Sequence, residues 1–140
     1  MPRSYLDDVR RPGQTVNPLF AFLGVKPVAL ERERAVLELP FRPEFVQGGG
    51  VMAGGLLAAL ADEAMAHVVL ANLEPGRRTA TVEMSVRYFR PVLEGALTAT
   101  AELVHAGRRI VSVEAQVRDA AGRLAAKASG SFFILEPKAP

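Results

Sequence analysis

The chain has 140 residues, carries a formal net charge of +2, is 49% hydrophobic and 23% charged, and contains no cysteine. That length fits one domain with a single core, the composition is ordinary for a globular protein, and so small a charge gives no footing for nucleic acid. Cysteine chemistry is excluded, the two histidines (His67 and His105) show no metal-ligand spacing, and no Ser sits in a nucleophile elbow, so any hydrolysis must fall to a carboxylate with no metal or cofactor.

Residues 1–16 hold Pro2, Pro12 and Gly13, lack an apolar leader run, and read as a flexible N-terminal arm; residues 17–136 form the folded domain. Asn17-Pro18 is a helix start, since Asn caps and Pro suits the first helical position; the short helix covers Leu19 to Leu23 and stops at Gly24. Val25 to Pro40 is a pair of strands, with the charged run Glu31 to Arg34 at the turn, and 43–50 is a loop ending in three glycines. Gly54 to Leu73 is the one long helix, rich in Ala and Leu and apolar nearly all round, which marks a helix covered on most of its surface. A membrane span is disfavoured there, because Asp62 and Glu63 would each cost about 2.5–3.5 kcal/mol near the bilayer centre. A cytoplasmic protein is expected.

Four strands follow. In Thr81 to Phe89, Val82, Met84, Val86 and Tyr88 alternate with Glu83, Ser85 and Arg87; Leu97 to Val104, Ile110 to Arg118 and Leu124 to Leu135 alternate in the same way. Turn signals separate them at Arg90-Pro91 with Gly95, at Ala106-Gly107 and at Asp119 to Gly122. Twenty helical residues rise roughly 30 Å, and strands of nine or ten residues span a similar length. A long antiparallel sheet that curls around one long apolar helix solves the packing, and that is the α+β hot-dog fold.

The chemistry concentrates between Gln47 and Asp62. A glycine-rich loop runs into the start of the long helix, where the first backbone N–H groups lack partners and the dipole adds positive character. Such amides suit a carbonyl oxygen that gains charge during attack, with Gly54 or Gly55 as donor. Asp62 follows eight residues later, an unfavourable residue for the middle of an apolar helix. The bland alternative is an Asp that pairs with an Arg or faces solvent. Glu63 points about 100° away from Asp62 and is assigned a salt bridge or an exposed edge. For His67, an i,i+4 pair with Glu63 suffices; His105 merely ends a strand. Arg77-Arg78 are read as cations complementing a helix C-terminus.

This stretch resembles the motif of PaaI-type thioesterases of phenylacetate degradation, Asn-x-x-Gly-x-x-His-Gly-Gly followed by a helix with Leu-x-Asp. It is also similar to 4-hydroxybenzoyl-CoA thioesterases, which use Gln for that Asn. The resemblance implies that Gln47 makes a polar contact to substrate or water, that the Gly54 amide is the oxyanion donor, and that Asp62 is nucleophile or general base, with Ala53 and Gly55 against the substrate. Tyr88-Phe89-Arg90-Pro91 with Gly95, and His105-Ala-Gly-Arg-Arg109, look like further family stretches, and they make Arg87, Arg90, Arg108 and Arg109 candidates for CoA phosphates. Ala53 stands where the family has His. The implied activity is acyl-CoA thioester hydrolysis, in a homodimer whose sites take Gly54 and Asp62 from different subunits, such dimers often pairing into tetramers. Phe20, Met65, Tyr88 and Phe89 are candidates for the acyl pocket. Two rivals are a non-catalytic acyl-CoA-binding protein and a hot-dog dehydratase; the second lacks a histidine in the loop before the helix.

Overall fold

A computed structural model describes residues 3–137. Six antiparallel strands form one sheet in the order β1-β2-β4-β5-β6-β3, where β1 is Lys26–Leu30, β2 Ala35–Leu39, β3 Arg78–Tyr88, β4 Leu97–Ala106, β5 Ile110–Arg118 and β6 Leu124–Leu135. The long helix, α3 (Gly54–Leu70), lies across one face of that sheet and packs on β2 through β6. Leu57, Leu60, Ala61, Ala64, Met65, Val68 and Val69 form its buried stripe, with the three- and four-residue spacing that keeps one helix face on the core. The sheet answers with Val111, Val113, Ala115 and Val117 of β5 and with Ala126, Ala128 and Phe132 of β6, all buried. Small residues on β6 let the helix approach closely: a Cβ on Gly130 would meet the Met65 methyl at 3.4 Å.

The helix is less enclosed than its composition predicts. Its far face carries Ala58, Ala59, Asp62, Glu63 and Ala66, all half-buried, so the sheet covers only one side. Among the described residues no helix is long and apolar enough to cross a membrane.

Two further helices pack beside it. The second, α2 (Pro18–Leu23), begins as expected, with the Asn17 side chain accepting from the Phe20 amide at 3.0 Å and Gly24 closing it at φ 81°. The first, α1 (Tyr5–Val9), lies in the stretch read as a loose arm. Ser4 and Asp7 form a capping box around it, and Val9 is buried. Tyr5 ties this turn to α3 through His67, so the segment is helical and docked rather than loose.

The alternation expected of β3 fails at one point. Thr81 pairs with Phe132 and Glu83 with Ser131, leaving Val82 as an extra residue in a bulge. Residues opposite each other share a face, so Thr81 turns inward with Phe132, while Val82 is 57% exposed. Beyond the bulge Met84, Val86 and Tyr88 face α3 as expected, although Tyr88 stays 51% exposed.

Candidate active site

Asp62 sits on the half-exposed flank of α3 and not in the core. The bulge at Val82 delivers its partner: Thr81 Oγ1 donates to Asp62 Oδ1 at 2.7 Å. A hydrogen bond onto a carboxylate oxygen fixes the direction of the group. Thr81 is the residue that the sequence conceals, because strict alternation places it on the outer face with Glu83.

Asp62 lines a cavity of about 580 Å³ together with Tyr5, Asn17, Glu63, His67 and Arg77. Glu63 shares the wall with Asp62, since a cavity this wide accommodates side chains about 100° apart. Its side chain is 26% exposed. Burial first, and then the charge of Asp62, push the Glu63 carboxyl up to about 7.

His67 behaves as a structural group. Its Nδ1 lies 2.7 Å from the Glu63 carbonyl oxygen, which can only accept, so Nδ1 carries the proton and Nε2 accepts from Tyr5 Oη at 2.9 Å. Asn17 Nδ2 in turn donates to Tyr5 Oη at 2.9 Å. Burial holds the imidazole below its ordinary range, and the ring is neutral near neutrality. The expected partner is the right residue but the wrong atom: the Glu63 carboxylate is 3.8 Å away, and its backbone carbonyl takes the bond.

The start of α3 is bare. Ala53 occupies the N-cap position and has no capping side chain. Its own amide is held by the Phe45 carbonyl at 3.0 Å, and the Leu56 amide turns back to the Ala53 carbonyl at 2.9 Å. Gly54 and Gly55 thus carry the first amides that a helix leaves without internal acceptors. Tyr88 stands over them, its Oη donating to the Gly54 carbonyl at 2.7 Å.

Gln47 is exposed in the preceding loop, where its side-chain oxygen accepts from the Gly49 amide. The donor found on Asp62 is Thr81 and not Gln47. Arg90 lies just past β3, at the Tyr88 end, whereas Arg108 and Arg109 form the β4–β5 turn at the other end, where Arg109 accepts from the Ile134 amide beside Thr79. One chain thus holds these cations at opposite ends of β3, about 36 Å apart along an eleven-residue strand. Arg87 stacks on the Phe89 ring at 5.7 Å. Arg77 pairs with Glu136 at 2.9 Å. Of the residues considered for an acyl pocket, Phe20 and Met65 are fully buried in the core and do not line the cavity, although Phe20 packs on the His67 ring behind it.

Eight helical residues separate Gly54 from Asp62, a rise of about 12 Å. The amides and the carboxylate of one chain therefore cannot grip the same carbonyl.

Residues 49–126 match the Thioesterase superfamily. A Saccharolobus solfataricus protein with a general esterase name is 34% identical over 86% of this chain and 85% of its own. A 1,4-dihydroxy-2-naphthoyl-CoA hydrolase of Listeria monocytogenes is 26% identical, over 73% of this chain and 83% of its own. Among solved structures, a conserved protein of Pseudomonas aeruginosa superposes with a TM-score of 0.81 at 34% identity, covering 86% of this chain and 95% of that one. With one long helix held in a curved six-stranded antiparallel sheet, this chain has the hot-dog fold and belongs to the Thioesterase superfamily.

Proposed function

We propose that the protein is an acyl-CoA thioesterase of the PaaI type, with Asp62 as its catalytic carboxylate and the Gly54 amide of a second copy as oxyanion donor. The observation that carries this reading is Asp62 itself, half-buried on the open flank of α3 and oriented by Thr81. A carboxylate so held attacks the thioester carbonyl or takes a proton from the attacking water, and the CoA thiolate leaves. Amides at a helix start stabilise the oxygen that gains charge. The acyl group lies in the cavity beside Asp62, and Arg90, Arg108 and Arg109 meet the CoA phosphates.

The second copy follows from the 12 Å separation and from the free edge of β3. Antiparallel pairing of two β3 strands about a twofold axis at Ser85 sets Met84 against Val86 of the second copy. Past the bulge, Thr81 then meets the second copy's Tyr88. Asp62, bonded to Thr81, arrives beside the Gly54 that Tyr88 holds. The same axis brings Arg90 of one copy to the end where the other carries Arg108 and Arg109.

Thiol release measured over a panel of aryl- and fatty-acyl-CoA thioesters tests the activity. Failure of the wild type to turn over any of them, with tight binding, would make it an acyl-CoA binder instead. Co-expression tests the sharing of sites. Asp62→Asn and Gly54→Val are each expected to be inactive, while their random mixture regains about a quarter of the wild-type rate, because half the dimers are mixed and each has one intact site. No recovery would place both groups in one chain.

A further inference from the structure

We propose that Tyr88 is a positioning residue for the amides at the start of α3, and that it aims the Gly55 N–H as a second donor beside the Gly54 amide. This rests on the thioesterase reading for its catalytic consequence, but not for its geometry. The helix opens on two consecutive glycines, the residues with the widest backbone freedom, and its N-cap residue has no polar side chain to restrain them. An oxyanion donor works by being fixed before charge develops. Left to itself, this backbone would be a poor one.

The structure supplies the restraint from β3. Tyr88 Oη donates to the Gly54 carbonyl at 2.7 Å. Its ring seats where a side chain on Gly54 would be, with Cζ, Cε1 and Oη at 3.2–3.3 Å from the missing Cβ position. The Gly54 carbonyl and the Gly55 N–H belong to one planar trans peptide and point in opposite directions. Holding the oxygen therefore aims the N–H, outward from the helix start. A hydrogen bond accepted at the carbonyl also polarises the peptide and strengthens its N–H as a donor. The peptide unit before it is held independently, its Ala53 carbonyl accepting from the Leu56 N–H at 2.9 Å. Among the described residues Tyr88 is thus the one side chain seen to act on the glycine pair, and Gly54 must lack a Cβ to receive it.

Tyr88→Phe keeps the ring and removes only the hydroxyl. In the full-length protein we expect kcat for acyl-CoA hydrolysis to fall about tenfold, less than the loss of a donor outright, with KM within about twofold. Hydrogen exchange at the Gly55 amide should quicken while exchange in the middle of α3 is unchanged. Gly54→Ala displaces the same ring, so the double variant should be no slower than the slower single one. An unchanged kcat in Tyr88→Phe, or effects that multiply in the double variant, would overturn the assignment. Should the wild type hydrolyse no thioester, the activity reading falls and the exchange measurement alone decides: equal Gly55 exchange in wild type and Tyr88→Phe sinks the proposal.

Discussion

The sheet has two ends, and they are built for opposite purposes. At one end β1 is five residues long, starts at Lys26, contains Pro27 and breaks register between Pro27 and Ala29. Each of these features discourages another strand from pairing with an exposed edge. At the other end β3 runs for eleven residues without proline, and among the described residues it pairs only with β6. The long edge also carries both residues that hold the candidate chemistry, Thr81 on Asp62 and Tyr88 on Gly54. Chain edges are usually a liability to be blunted. Here one is blunted, and the other carries both contacts to α3, Thr81 on Asp62 and Tyr88 on Gly54.

The largest expected effect is at the carboxylate. Asp62→Asn should lower kcat by about 10³-fold without loss of fold, because a side chain that takes a proton or attacks typically contributes 10²–10⁴; a rate within tenfold of wild type would remove Asp62 from the mechanism. Next comes the edge itself. Ser85→Lys places two like charges face to face at the proposed axis, and self-association should weaken about 100-fold, with activity following concentration. The matching change on the blunted edge, Val28→Lys, should alter neither, since Val28 is 63% exposed and lies at the register break. Sedimentation of the two variants compares the edges directly, and equal behaviour would erase the distinction. A smaller change is expected of Thr81→Val. It removes one hydrogen bond to a charged group and should cost about tenfold in kcat, with the difference from wild type vanishing in the Asp62→Asn background.

How much of this was legible in the chain depends on whether the deciding contact is local. Strands β5 and β6 have the bounds that their alternation predicts, and the register shift between them falls only at the Val117/Arg118 end. The start of α3, with its glycines, and the out-of-place Asp62 were visible as residue types at a spacing. Thr81 was not, because one extra residue at Val82 reverses the face of everything before it. The docking of α1 rests on Tyr5 meeting His67 across sixty-two positions, which no local pattern encodes. Its helical form was readable, since Ser4-x-x-Asp7 is a capping signal. The shared cavity of Glu63 and Asp62 was not legible either, because the angle between adjacent helix positions says nothing about how broad a wall they line.

Glu63 offers the smallest effect and the one with the clearest sign. Its carboxyl is raised from 4.5 to about 7, so the folded state holds a proton that the unfolded chain has already released. Below pH 4.5 both states are protonated and the group is neutral in stability. As pH rises towards 7 the unfolded state gains, and above 7 the folded protein carries a second, poorly solvated negative charge beside Asp62. Glu63→Gln never acquires that charge. It should therefore match wild type in denaturant titrations near pH 4 and be more stable at pH 8, by on the order of 1 kcal/mol, since solvent reaching the group reduces the roughly 3 kcal/mol that the full shift would give. The difference should open between pH 4.5 and 7. A constant offset across that range would mean that Glu63 acts through packing, and that the two carboxylates on the open flank of α3 do not feel each other.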